Sequence, residues 1–107
     1  MYLQKINLKN KYALVTGAGK GLGRACSIAL AEAGANVIAL SRTHSDLNKL
    51  EKDIKKIKGK VIKVPCDVMN YEDLKSKLEK IKIIDVLVNN AGTNIPEPFE
   101  KIKQKSM

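Results

Sequence analysis

The residues with the plainest chemical capacity are the glycines of Thr16-Gly17-Ala18-Gly19-Lys20-Gly21-Leu22-Gly23. They follow the apolar run Ala13 to Val15 and open directly onto a helical pattern that continues through Arg24 to Ala33. Such a turn suits an anionic ligand of the diphosphate type. Glycine tolerates positive φ and lets backbone amides approach the phosphates, while a helix N-terminus adds partial positive charge. The spacing departs from the ordinary G-x-G-x-x-G fingerprint, which counted from Gly17 needs glycine where Leu22 stands. A tight turn that only packs strand against helix satisfies the same residues, so the turn needs partners elsewhere in the chain.

Other reactive types offer less. Cys26 and Cys66 have neither metal-like nor redox-like spacing, and His44 is the one histidine. Buried reduced thiols and a solvated loop histidine are expected, with no metal site. Tyr71-Glu72-Asp73-Leu74-Lys75 has the form Tyr-x-x-x-Lys, which on a helix places both ends on one face. Its place at the start of a connecting helix, with Leu74 and Leu78 as core positions, makes a chance match the expectation. The formal charge of +9 raises nucleic-acid binding as a possibility. Yet of the 20 basic residues only Arg24 and Arg42 are arginine, and there is no Trp and a single Phe. Bidentate base contacts and stacking platforms are therefore scarce. The lysines fall on the outer faces of helices, so no specific nucleic-acid partner is expected.

The elements that must position the turn are regular. Val37 to Leu40 is a continuous apolar run, as expected of a strand buried on both faces of a parallel sheet. Leu47, Leu50, Ile54 and Ile57 recur at helical spacing between Ser45 and Lys58, with Thr43 or Ser45 as cap and Gly59 as stop. Val61 to Val64 is a shorter strand whose Lys63 suits a sheet edge. Asn70 caps a further helix running through Lys82, and Ile84 to Val88 forms the fourth strand. On the first helix, Leu22, Cys26, Ala29, Leu30 and Ala33 are expected to face the sheet, with Gly34 ending it. Strand and helix alternate throughout, which indicates βαβ units and an α/β, Rossmann-type, doubly wound parallel sheet of strand order 3-2-1-4.

Each strand exit then carries a suggestive set: Thr16 to Gly23, Ser41-Arg42-Thr43, Asp67-Val68, and Asn89-Asn90-Ala91-Gly92. In such sheets ligands bind beyond the carboxyl ends of the strands. Together with Asp85, these residues resemble the short-chain dehydrogenase/reductase family over nearly the whole chain. Ser41-Arg42-Thr43 with Asp46-Leu47 is similar to its carbonyl and xylulose reductases. The resemblance implies a nicotinamide dinucleotide cofactor. Gly17, Gly19, Lys20, Gly21, Leu22 and Gly23 would line its diphosphate, and Asp67 and Val68 would meet adenine. Asn90, Ala91 and Gly92 would pass beneath the ribose and nicotinamide, with Asn89 structural. The second exit favours NADP over NAD: Ser41 replaces the acidic residue that would repel a 2′-phosphate, and Arg42 and Lys20 flank it.

The resemblance also implies hydride transfer between nicotinamide and a carbonyl or secondary alcohol. Its reacting serine and Tyr-x-x-x-Lys belong to the second half of the family fold, so no catalytic residue is assigned here. The chain is expected to be a partial dinucleotide-binding domain over 1–107, inactive alone, with a tail at about 97–107 that is poorly ordered. A small inactive dinucleotide-binding module is the alternative. No stretch resembles a signal peptide or a membrane span, so a cytoplasmic location is expected, with homo-oligomers expected of the complete protein.

Overall fold

The computed structural model describes residues 7–90. Four parallel strands, β1 (Tyr12–Thr16), β2 (Asn36–Ser41), β3 (Lys60–Pro65) and β4 (Val86–Asn89), form one sheet in the order β3-β2-β1-β4. Three helices connect them: α1 (Gly21–Glu32), α2 (His44–Lys56) and α3 (Tyr71–Leu78). The expected architecture and strand order are those observed. Expectations for Ala91, Gly92 and the 97–107 tail lie outside the described residues.

The two faces of the sheet are read from alternate residues, as the pleat requires. Ala13, Val15, Val37 and Ala39 point to one side and pack with Leu30 and Ala31 of α1 and Leu47, Leu50 and Ile54 of α2. Leu14, Ile38 and Leu40 point to the other and pack with Leu74 and Leu78 of α3, together with Cys66 and Ile84. The face carrying two helices thus has the smaller strand side chains, and the face carrying one helix has the larger. β1 and β2 are wrapped on both sides, which is why their sequences are continuously apolar.

Asp85 sets where β4 begins. Its backbone amide donates to the Tyr12 carbonyl at 2.8 Å, and its carboxylate accepts the Tyr12 amide at 2.8 Å. The pairing then runs Ala13 to Val86 through Thr16 to Asn89. β3 is an edge strand as its lysine suggested. Lys63 reaches the Glu51 carboxylate at 3.1 Å and the Asn48 side-chain oxygen at 2.9 Å on the outer side of α2. The Lys63 ammonium holds the Glu51 carboxyl below its ordinary value.

Four local expectations need correction. Of the residues expected to face the sheet from the first helix, Ala29, Leu30 and Ala33 are buried, but Leu22 is 70% exposed and Cys26 half-buried, and Gly23, Ser27 and Ala31 are buried in their place. Ser27 is buried because its hydroxyl donates to the Gly23 carbonyl one turn back, at 2.8 Å. His44 is exposed but is the first residue of α2 and not a loop residue. At the end of α2 the left-handed residue is Lys58, with φ of 59°. Gly59 serves for space: a Cβ there would lie 2.8 Å from the Ile54 methyl and 3.0 Å from the Ala31 Cβ. Finally, α3 stops at Leu78, because Lys80 and Ile81 donate back three residues, to Lys77 and Leu78, and tighten into a turn. Gly34 does end α1, at φ of 100°, with Ala35 donating back to Leu30.

Candidate functional site

Three of the four strand exits converge on one cavity of about 330 Å³. From the glycine turn come Gly17, Gly19 and Lys20; from the end of β2 come Ser41, Arg42 and Thr43; from the end of β3 come Cys66, Asp67, Val68 and Met69. Leu40 and Asp46 complete the wall. Gly21, Leu22 and Gly23 form the first turn of α1 beside this cavity and do not line it. Asn90 does not line it either. Tyr71 and Lys75 are exposed on α3 and do not line it.

The glycine turn is fitted to its neighbours atom by atom. Gly17 takes φ of 62° and Gly21 takes 55°, conformations in which a Cβ is strained. Gly23 is constrained by space: a Cβ there would lie 2.0 Å from the Gly17 carbonyl oxygen and 2.8 Å from the Asn90 side-chain nitrogen. The start of α1 therefore lies against the outgoing turn, and Asn90 closes the far side. Thr16, fully buried, knits these parts together. Its hydroxyl donates to the Asn89 side-chain oxygen at 3.0 Å and accepts the Asn90 amide at 2.9 Å. Asn89 is thus structural, as expected.

The α1 N-terminus has the features of an anion cradle. Lys20 occupies the N-cap position without a side-chain cap bond, and no acidic residue lies in the first turn. The first-turn amides of a helix lack intrahelical acceptors, so they remain available to an acceptor from outside. Gly21 borders open space, with nothing within 4 Å of a Cβ built there. These residues fit the diphosphate of a dinucleotide.

Charge around the cavity is mixed. Arg42 is exposed and has no ion pair among the described residues, while Arg24 is engaged with Asp53 across α1 and α2. Lys20 pairs with Asp46 at 3.6 Å. The Ser41 hydroxyl accepts the Thr43 amide at 3.2 Å, which holds the β2 exit as a tight turn. At the β3 exit, the Asp73 carboxylate accepts the Asp67 amide at 3.1 Å, and the Asp67 carboxylate accepts the Met69 amide at 2.9 Å. Burial, reinforced by the neighbouring Asp73 carboxylate, pushes the Cys66 thiol up to about 11. Cys66 is therefore an inert neutral lining group at physiological pH. No cluster of three or more potential metal ligands occurs among the described residues, and no helix there is long and apolar enough to cross a membrane.

Reading by residue did not place Asp46, Cys66 or Met69 in the cavity. Asp46 carried a signal, since it sits one turn beyond Arg42 at the start of α2. The other two follow from the path of the β3 exit.

The family model described as short chain dehydrogenase matches residues 11–107. The L-xylulose reductase of Mesocricetus auratus is 37% identical over 101 residues, covering 94% of this chain and 40% of that protein. Among solved structures, one described as a D-mannonate oxidoreductase of Haemophilus influenza with bound NAD superposes with a TM-score of 0.79 at 30% identity. It covers 90% of this chain and 36% of its own. A metagenomic short-chain oxidoreductase in complex with NADP gives 0.76 at 31% identity, over 80% of this chain and 41% of its own. The chain spans about 40% of the length of the curated relatives it matches.

Proposed function

Since the chain belongs to the short-chain dehydrogenase family, we propose that it holds the adenosine and diphosphate portion of a nicotinamide dinucleotide, NADP in preference to NAD. In the whole protein the bound nicotinamide would supply hydride transfer to or from a carbonyl or secondary alcohol. The observation that carries the reading is the single cavity that joins the glycine turn to the β2 and β3 exits. The relatives solved with NAD and with NADP support a dinucleotide of this type.

Each wall has its task. Backbone amides at the start of α1 take the diphosphate, with Gly17, Gly19 and Gly21 keeping side chains out of its path. Asp67 and Val68 flank the adenine. Asn90, fixed through Thr16, braces the turn from the β4 side. Choice between the two dinucleotides falls to Ser41, Arg42 and Thr43. The β2 exit ends in a hydroxyl and not a carboxylate, and the Arg42 guanidinium, without an ion pair among the described residues, offers charge-assisted donors to a 2′-phosphate. Ala91 and Gly92 are proposed to continue the wall toward the nicotinamide. A cytoplasmic setting accords with this reading.

Calorimetric titration of the full chain with NADPH and NADH tests it. NADPH is expected to bind more tightly, and Arg42→Asp to reverse the order. Tighter binding of NADH by the wild type overturns the NADP assignment.

A further inference from the structure

The carboxylate nearest the glycine turn lies on α2, at Asp46, and its position follows from packing. A Cβ on Gly19 would lie 2.7 Å from the Asp46 Cβ, so the missing side chain of Gly19 is the space Asp46 occupies. Asp46 also stands in the first turn of α2, where the helix N-terminus favours negative charge and Thr43 makes no side-chain cap bond. Its side chain is only 14% exposed. Lys20, its partner at 3.6 Å, is 80% exposed on a long flexible stem. One member of the pair is fixed and the other is free to leave.

We propose that Asp46 is a specificity-determining residue of the dinucleotide site: its carboxylate engages Lys20 and so withholds that ammonium from the 2′-phosphate of the ligand. The inference rests on the dinucleotide reading above. Both Asp46 and Arg42 line the cavity, so a 2′-phosphate bound at the β2 exit is within reach of the same long-range field. Arg42 carries no ion pair among the described residues and supplies the net attraction, whereas the charge of Lys20 is partly offset by Asp46 before the ligand arrives. A 2′-hydroxyl carries no charge and is nearly indifferent to whether Lys20 is paired. Asp46 therefore lowers the affinity for the phosphorylated dinucleotide while leaving that for the plain one almost unchanged. Releasing an exposed lysine from such a pair and offering it to a phosphate corresponds to about a two- to fivefold change in affinity. The gain shrinks with added salt, because Lys20 is open to solvent.

The test is a double-variant cycle on the full chain, with dissociation constants for NADPH and NADH measured by calorimetry in wild type, D46N, K20M and D46N/K20M. D46N is expected to raise the NADPH-to-NADH affinity ratio about two- to fivefold. K20M alone is expected to change the ratio less than about twofold, and K20M added to D46N to remove most of the gain. An unchanged or lower ratio in D46N refutes the proposal, as does a gain that persists undiminished in the double variant. Far-UV circular dichroism of each variant reports whether it is still folded, and D46S must shift the ratio in the same direction. The wild-type ratio and its shift answer separate questions. A wild type that prefers NADH sinks the NADP assignment, while the shift in D46N still decides the role of Asp46. Failure to bind either dinucleotide overturns both.

Discussion

Replacing Gly23 by alanine separates steric fit from helix propensity, because the two predict opposite signs. Gly23 lies in the first turn of α1 and has an ordinary negative φ region open to any residue, so propensity alone makes alanine better by about 0.5–1 kcal/mol. Geometry says otherwise. The added methyl would stand 2.0 Å from the Gly17 carbonyl oxygen, 2.8 Å from the Gly17 carbonyl carbon and 2.8 Å from the Asn90 side-chain nitrogen. Two of the three atoms are backbone, and Gly17 is itself held at φ of 62°, so neither can move without disturbing the turn. Overpacking of this kind costs about 1–3 kcal/mol, and a backbone obstacle places it at the upper end. After the propensity gain is subtracted, Gly23→Ala should destabilise by about 1–2 kcal/mol, a fall in Tm of about 5–15 °C for a domain of this size. Far-UV circular dichroism during heating and urea titration measures this. Loss of NADPH binding should accompany it, because the α1 amides move away from the turn. An unchanged or higher Tm would refute the close packing of α1 on the glycine turn.

Three further expectations follow from other parts of the fold. Cys66 titrates at about 11 in the native protein against an ordinary 9.0, so the unfolded chain binds fewer protons over that interval. Its contribution to stability is complete below pH 9 and is lost as pH rises toward about 11, so Cys66→Ala should flatten the decline of the urea midpoint across that window relative to wild type. Asp85→Asn retains the backbone bond to Tyr12 but weakens the charge-assisted one at 2.8 Å. It should cost about 0.5–1.5 kcal/mol in urea denaturation and reduce hydrogen-exchange protection of the Tyr12 amide. Lys58→Gly removes left-handed strain at φ of 59° at the end of α2, partly offset by the greater freedom of glycine in the unfolded chain. It should raise stability by up to about 1 kcal/mol, read as a higher urea midpoint.

The βα alternation was legible because apolar runs and helical spacing are local signals. Val37 to Leu40 reads as a doubly buried strand, and β2 is buried on both faces. Lys63 reads as an edge marker, and β3 is the edge. The side of α1 that packs was legible only in part: Ala29, Leu30 and Ala33 are buried as their spacing suggested, but Gly23 and Ser27 were missed. A helix that approaches a sheet through Gly23 and Ser27 does so because side chains are small, and hydrophobicity cannot mark an absence of atoms. Gly59 was read as the stop of α2, and its amide does donate back to the Ile54 carbonyl, but the left-handed residue there is Lys58, while glycine is required at 59 for room.

The sequence by itself determined the parallel α/β architecture, the order of its strands and the family, because these depend on residue type at short and regular spacing. It also singled out Gly17, Gly19 and Lys20 of the glycine turn and the exits at Ser41, Arg42, Asp67 and Val68, all of which line one cavity. Tertiary structure alone decided which charges meet there. Lys20 and Asp46 are far apart along the chain and touch only because Gly19 makes room for the Asp46 side chain. A sequence supplies the sign of each charge, but its effective strength depends on the distance and solvent between partners, and only the folded chain sets those.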